Sequence, residues 1–290
     1  MQFIEFIRYF LVSLVLGFAM HSLILKANDG TTATLSLKHT DGASLSKKLP
    51  AIAKEANHSE LARQKNLCST ECVTPFGTLL GEVDGVKSYS NCQSSCVKPE
   101  YSFLNLTNKE IVQASENPDK EKFHYIGVIH QCVEYARKWW MINKGITFGS
   151  IESAYEIIYL QQGKDIQSNQ YFPLARSTNG SARLAPKRGD LIIYSADRSK
   201  PNWKHGHVAV VLAVDLQAGT VSIAEENYNN RQWEKTNQFA RKLKLSKSSQ
   251  GYTVTDRDIH QKDPSQLGVI SGWLYPLEPR MSETKSATIN

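Results

Sequence analysis

The sequence predicts an α+β fold in which one amphipathic helix packs on an antiparallel β-sheet. Two stretches carry that expectation. Residues 131–144, "QCVEYARKWWMINK", place Val133, Ala136, Trp139 and Trp140 close to one helical stripe, and Gly145 follows as a C′ residue. Residues 207–227, "HVAVVLAVDLQAGTVSIAEEN", hold two apolar, β-branched runs, 208–214 and 221–224, joined across "DLQAG" in the pattern of an antiparallel hairpin. At 290 residues, with 41% hydrophobic and 21% charged, the chain is long enough to bury one sizeable core.

The remaining elements follow in chain order. Residues 1–27 read as a signal peptide or a membrane anchor, because an apolar run from Phe10 to Leu25 is interrupted only by Ser13, Gly17, His21 and Ser22. Cleavage and membrane attachment through residues 3–25 both fit, since no A-x-A site precedes Lys26 and since Arg8 and Lys26 flank the run. Either fate implies export, to a periplasm or out of the cell. Residues 28–67 are polar and poor in aromatics and read as a flexible stalk. Residues 68–278 read as one globular unit and 279–290 as a tail. The formal charge of +6 suits an anionic neighbour such as a membrane surface or a wall polymer. No basic stripe is interleaved with aromatics, so nucleic acid is not an expected partner.

Four of the five cysteines fall in two pairs, Cys68-x3-Cys72 and Cys92-x3-Cys96. Four thiols at this spacing suit two disulfides or a structural zinc. Export favours the disulfides and no histidine supplements the set, so neither a metal nor another cofactor is expected. Spacing leaves the connectivity open. A nested pairing, Cys68 with Cys96 and Cys72 with Cys92, would clip the hairpin-like stretch "PFGTLLGEVDGVKSYSN".

Cys132 is then a lone thiol in the first turn of a helix, where unpaired N–H groups and the helix dipole favour a thiolate. Glu134 and Lys144 suit the two ends of that dipole. The strand opened by "RGDLIIYSA" leads into the hairpin, which supplies the partners. His207 opens its first run, while Glu225, Glu226 and Asn227 close the second, so a histidine and an acid must lie close together. Register decides which acid. Opposed residues of equal parity put Glu225 and Asn227 on the face of His207, and opposed residues of unequal parity put Glu226 there. A thiolate, an imidazole that protonates a leaving amine and a polar group that holds the ring are the parts of cysteine-dependent acyl transfer, in the chain order used by papain-like enzymes. His205 is the rival base.

The blocks "PFGTLLGEVDGVKSYSN", "QCVEYARKWW", "GHVAVV", "IAEENYNNRQW" and "SGWLYP" resemble, in order, the amidase domain of the bifunctional glutathionylspermidine synthetase/amidases and the related domain of trypanothione synthetases. Both belong to the CHAP group (cysteine, histidine-dependent amidohydrolase/peptidase), and the resemblance spans residues 74–277. It implies a papain-like CHAP fold, with Cys132 as nucleophile, His207 as base and Glu225 as the acid that orients it. It also implies an oxyanion contact from Gln131 with the Cys132 N–H, and substrate contacts from Arg137 and Asn227. Glu226, next to the orienting acid, is the expected partner of a cationic leaving group. The implied activity is hydrolysis of a glutathionylspermidine-like peptide–polyamine amide, without ATP-dependent synthesis, since no ATP-grasp-sized half is expected. A peptidoglycan amidase or endopeptidase, and a non-catalytic binding module on the same fold, are the two other readings.

Overall fold

The computed structural model describes residues 68–277 and, apart from them, a short ladder nearer the N-terminus. In that ladder β1 (Leu25–Lys26) pairs antiparallel with β2 (Thr32–Ala33), within the compact unit Met1–Glu55. The rest of the signal-or-anchor stretch, the stalk and the tail lie outside the described residues. Among the described residues no helix is long and apolar enough to cross a membrane.

The second unit, Ala56–Asn290, is mostly antiparallel sheet with few helices. It opens with the hairpin of β3 (Leu79–Val83) and β4 (Val86–Tyr89). Asp84 and Gly85 turn it with φ of 56° and 71°, the double left-handed turn that matches the twist of a two-residue hairpin. Next come β5 (Tyr101–Asn105), β6 (Ile111–Ala114) and β7 (Phe123–Val128), a three-stranded sheet in the order β6-β5-β7.

The helix α1 (Cys132–Lys144) follows. It ends as its sequence predicts: Gly145 takes φ 67°, ψ 21° and donates its N–H to the Trp140 carbonyl. The chain then runs through β8 (Ile146–Phe148), β9 (Gln162–Asp165), β10 (Tyr171–Thr178), β11 (Leu191–Tyr194), β12 (His207–Asp215), β13 (Thr220–Ala224), β14 (Arg241–Lys247), β15 (Tyr252–Thr255) and β16 (Ile270–Pro276). These nine strands form one sheet in the order β15-β14-β13-β12-β11-β16-β10-β9-β8.

Period-two alternation divides the core between the faces of this sheet. Leu191, Ile193, Val208 and Val210 join Tyr135, Ala136, Trp139 and Trp140 of α1 in one apolar cluster. Ile192, Ala209, Val211, Ile223 and Leu243 belong to a second. Trp140 is fully buried, packs edge-on to Phe148 and donates its indole N–H to the Gly189 carbonyl at 2.8 Å. One irregularity matters for the site. Between Val211 and Ala213 the β12–β13 ladder shifts, leaving Leu212 as an extra residue on β12.

The paired cysteines form disulfides in the nested arrangement, Cys68–Cys96 and Cys72–Cys92, so no thiol of the four is left for zinc. Two disulfides point to an extracellular or periplasmic protein.

Candidate active site

Cys132 is the first residue of α1 and the free cysteine of the described unit, half-buried. The N-cap, Gln131, has extended backbone and makes no side-chain capping bond, so the first-turn N–H groups are not taken by a cap. Its side chain is held elsewhere. Nε2 donates to the Cys96 carbonyl at 3.0 Å, and Oε1 accepts from Asn227 Nδ2 at 2.7 Å. The disulfide loop and the end of the hairpin thus grip the residue beside the thiol from two sides. Cys132 opens into a cleft of about 530 Å³ whose walls include Ser94 and Ser95 of that loop, Glu152, His205 and Asn227.

His207 begins β12 directly after Gly206, whose φ of 64° and crowding explain the glycine: a Cβ there would lie 2.4 Å from the Tyr194 carbonyl oxygen. The imidazole is buried between Tyr194 and Tyr228, each with ring centroids 5.3 Å away. Its Nε2 meets Glu225 Oε2 at 2.8 Å. Burial disfavours the imidazolium, but Cys132 and Glu225 beside it overcome that and lift His207 to about 9. Burial likewise pushes the Glu225 carboxyl up, and the Arg241 guanidinium and His207 outweigh it, holding Glu225 at about 2. An ionised acid therefore faces a protonated ring.

The bulge selects that acid. On the site side of Leu212, Val210 faces Ala224 and Val211 faces Ile223, so residues of equal parity oppose one another and Glu225 and Asn227 share the face of His207. On the tip side, Ala213 faces Ser222 and parity is broken. The equal-parity alternative of the sequence is the one that folds.

One expected substrate contact needs correction. Glu226 turns to the other face and is 1% exposed, and it does not line the cleft. Its Oε1 accepts from the Tyr89 N–H at 2.5 Å and stands 3.8 Å from His130 Nδ1. Close by, Lys138 Nζ bonds both Glu134 oxygens at 3.0 and 3.1 Å. Burial first, and the Glu134 carboxylate with it, push Glu226 well above the usual carboxylate range despite Lys138. It is an interior group, not a contact for a leaving group. Arg137 abuts the cleft but is only 3% exposed, and its guanidinium donates to the carbonyls of Phe148 at 3.2 Å, Gly149 at 2.9 Å and Ile126. It braces the helix against its neighbours. Asn227 does line the cleft, and its φ of 55° aims it at Gln131. His205 lines the cleft too, but its Nδ1 pairs with Ser153 Oγ at 2.8 Å, and Glu225 goes to His207.

Sequence reasoning passed over Arg241 and Asp256, which stand behind Glu225. A signal existed. In "RKLKLSK" the arginine is in phase with Leu243 and Leu245, so a charge occupies an inward position of β14.

The family match agrees with this arrangement of helix and hairpin. Residues 122–227 match the family model of the CHAP domain. Relatives of the CHAP region include the bifunctional glutathionylspermidine synthetase/amidase of Escherichia coli (strain K12), 32% identical over 205 residues, which are 70% of this chain and 30% of that protein. Trypanothione synthetase of Crithidia fasciculata is 32% identical over 201 residues, 69% of this chain and 26% of that protein. The chain thus spans less than a third of the length of either relative. A solved N-acetylmuramoyl-L-alanine amidase from Staphylococcus aureus aligns with a TM-score of 0.26 and 18% identity, covering 55% of this chain and 32% of that one, a likeness too slight to argue from.

Proposed function

We propose that this protein is an exported cysteine amidase of papain-like architecture, its catalytic unit spanning residues 68–278, that hydrolyses a glutathionylspermidine-like peptide–polyamine amide. The observation that carries the proposal is the buried His207–Glu225 pair at 2.8 Å, beside a cleft lined by Cys132, which together with Glu225 lifts that imidazole. Export rests on the N-terminal apolar run and on the disulfides.

In the proposed cycle the Cys132 thiolate attacks the amide carbonyl carbon. The oxyanion that forms accepts from the Cys132 N–H and from the Gln131 amide, whose other N–H is committed to Cys96. Collapse expels the amine, which takes its proton from the His207 imidazolium. Water, deprotonated by the now neutral His207, then attacks the thioester; the acid leaves and the thiol is restored. Glu225 holds Nε2 throughout, so Nδ1 is the nitrogen that faces sulfur. A polyamine leaves as a cation. With Glu226 turned inward, Glu152 is the exposed carboxylate on the cleft wall that would receive it.

The test incubates the oxidised protein separately with glutathionylspermidine and with purified peptidoglycan, and identifies products by mass spectrometry. Glutathione and spermidine, formed without ATP, are expected. Release of peptide from peptidoglycan alone would replace this substrate with the wall polymer, and no product from either would leave the binding-module reading standing.

A further inference from the structure

Behind the His207–Glu225 pair lies a second layer of buried charge. The Arg241 guanidinium grips Glu225 as a fork, Nε on Oε1 and Nη2 on Oε2, the second contact at 3.0 Å. Oε2 is also the oxygen that meets His207. Arg241 is itself fixed from behind: Nη1 donates to Asp256 Oδ1 and to the Arg257 carbonyl, both at 2.7 Å. Asp256 then collects the two rings that wall the imidazole, from Tyr194 Oη at 3.1 Å and from Tyr228 Oη at 2.8 Å. The guanidinium stacks 3.5 Å over the Tyr228 ring, and the Gly268 N–H closes the set on Asp256 Oδ2 at 2.8 Å. One carboxylate just after β15 thereby anchors Arg241, Tyr194 and Tyr228, the groups that flank the Glu225 carboxylate and the His207 ring.

We propose that Arg241, held by Asp256, is a positioning residue of the cysteine centre: by gripping both oxygens of Glu225 it fixes the plane of that carboxylate, and through it the tautomer and aim of His207. The inference rests on the proposed cysteine-amidase reading. A fork geometry suits arginine because two parallel N–H bonds orient a carboxylate as one bond cannot. Its charge acts in the same direction, being the chief group that holds the buried Glu225 low against desolvation. Arg241 does not line the Cys132 cleft, so it acts on substrate only through its neighbours.

The experiment follows the pH dependence of Cys132 alkylation by iodoacetamide in the full, disulfide-bonded chain, with kcat and KM measured alongside. In Arg241→Gln the carboxyl rises, the imidazolium loses its partner, and the alkylation midpoint moves up by about one pH unit, an approximately tenfold slower reaction below the midpoint at unchanged KM. Arg241→Lys keeps the charge without the fork and falls between. In a Glu225→Gln background, adding Arg241→Gln shifts the midpoint no further, because the arginine acts through that one group. A wild-type profile in either single variant overturns the proposal, as do additive effects in the double variant. Should Arg241→Gln fail to fold, with two buried carboxylates left facing each other, Arg241→Lys decides alone. Failure of the underlying reading looks different: Cys132 of the unaltered protein would then react no faster at neutral pH than an ordinary free thiol.

Discussion

Among the five cysteines Cys132 alone is outside a disulfide, and every covalent step of the proposed cycle passes through its sulfur. Cys132→Ala should therefore lower kcat by roughly 10³-fold or more with an unchanged melting temperature, since a half-buried thiol at a helix start supports little of the core. Residual turnover near wild type would place the chemistry elsewhere. The ring sets the alkaline side of the pH profile. His207 titrates at about 9, so the imidazolium that protonates the leaving amine persists below that pH and is lost above it. A descending limb of kcat/KM near pH 9 is expected, and a limb close to the ordinary histidine value would mean that the Glu225 contact does not act on the ring. The two glutamates near the hairpin end should separate cleanly. Glu152→Gln should raise KM for a polyamine conjugate by about two- to fivefold, the effect of losing one exposed ion pair, and should spare a neutral amide. Glu226→Gln, which replaces a buried carboxyl held well above its usual range by an amide of the same shape, should leave both KM values within about twofold.

Trp140 tests the helix as an element. Trp140→Ala deletes a fully buried indole and strands the Gly189 carbonyl, so urea unfolding should show a loss of about 3–5 kcal/mol. A loss below about 1 kcal/mol would mean that the helix is not held by this side of its stripe. This element was legible from sequence because its signals are local: the spacing of Val133, Ala136, Trp139 and Trp140, and a glycine at the left-handed position after Lys144. The hairpin was legible for the same reason, β12 and β13 matching the two apolar runs within a residue at each end. What stayed hidden was relational. Whether Glu225 or Glu226 meets His207 depends on the bulge at Leu212, an ordinary apolar residue in an apolar run that carries no mark of its role. Glu226 misled for a related reason, since a charged residue near a nucleophile reads as a contact until burial shows that its partners are the Tyr89 N–H and the interior His130. Arg241 lies well away in sequence from the thiol it serves, beyond the reach of any spacing rule.

Across the whole unit, the Cys68–Cys96 bridge links stability to the cleft. It closes a separation of 28 residues, for which chain entropy alone gives about 3.5 kcal/mol. The same loop supplies Ser94 and Ser95 to the cleft wall and the Cys96 carbonyl to Gln131. The Cys68→Ser/Cys96→Ser variant should therefore lose kcat as well as stability, with substrate turnover falling at temperatures where circular dichroism still reports a folded sheet. Loss of melting temperature with full turnover would confine the bridge to a stabilising role. Finally, Leu212 keeps the phase of the sheet. From tip to mouth the hairpin counts one residue more on β12 than on β13, and the two ends of the ladder therefore run out of step. Pair Leu212 with Ile223 instead, so that nothing bulges, and the tip register runs through to the mouth: Glu226 would then share the face of His207, while Glu225 would turn to the other side and leave Arg241 without its partner. The choice of acid is stored as arithmetic, in a leucine that is neither acid nor base, and any redesign of this hairpin has to preserve that count before it preserves a carboxylate.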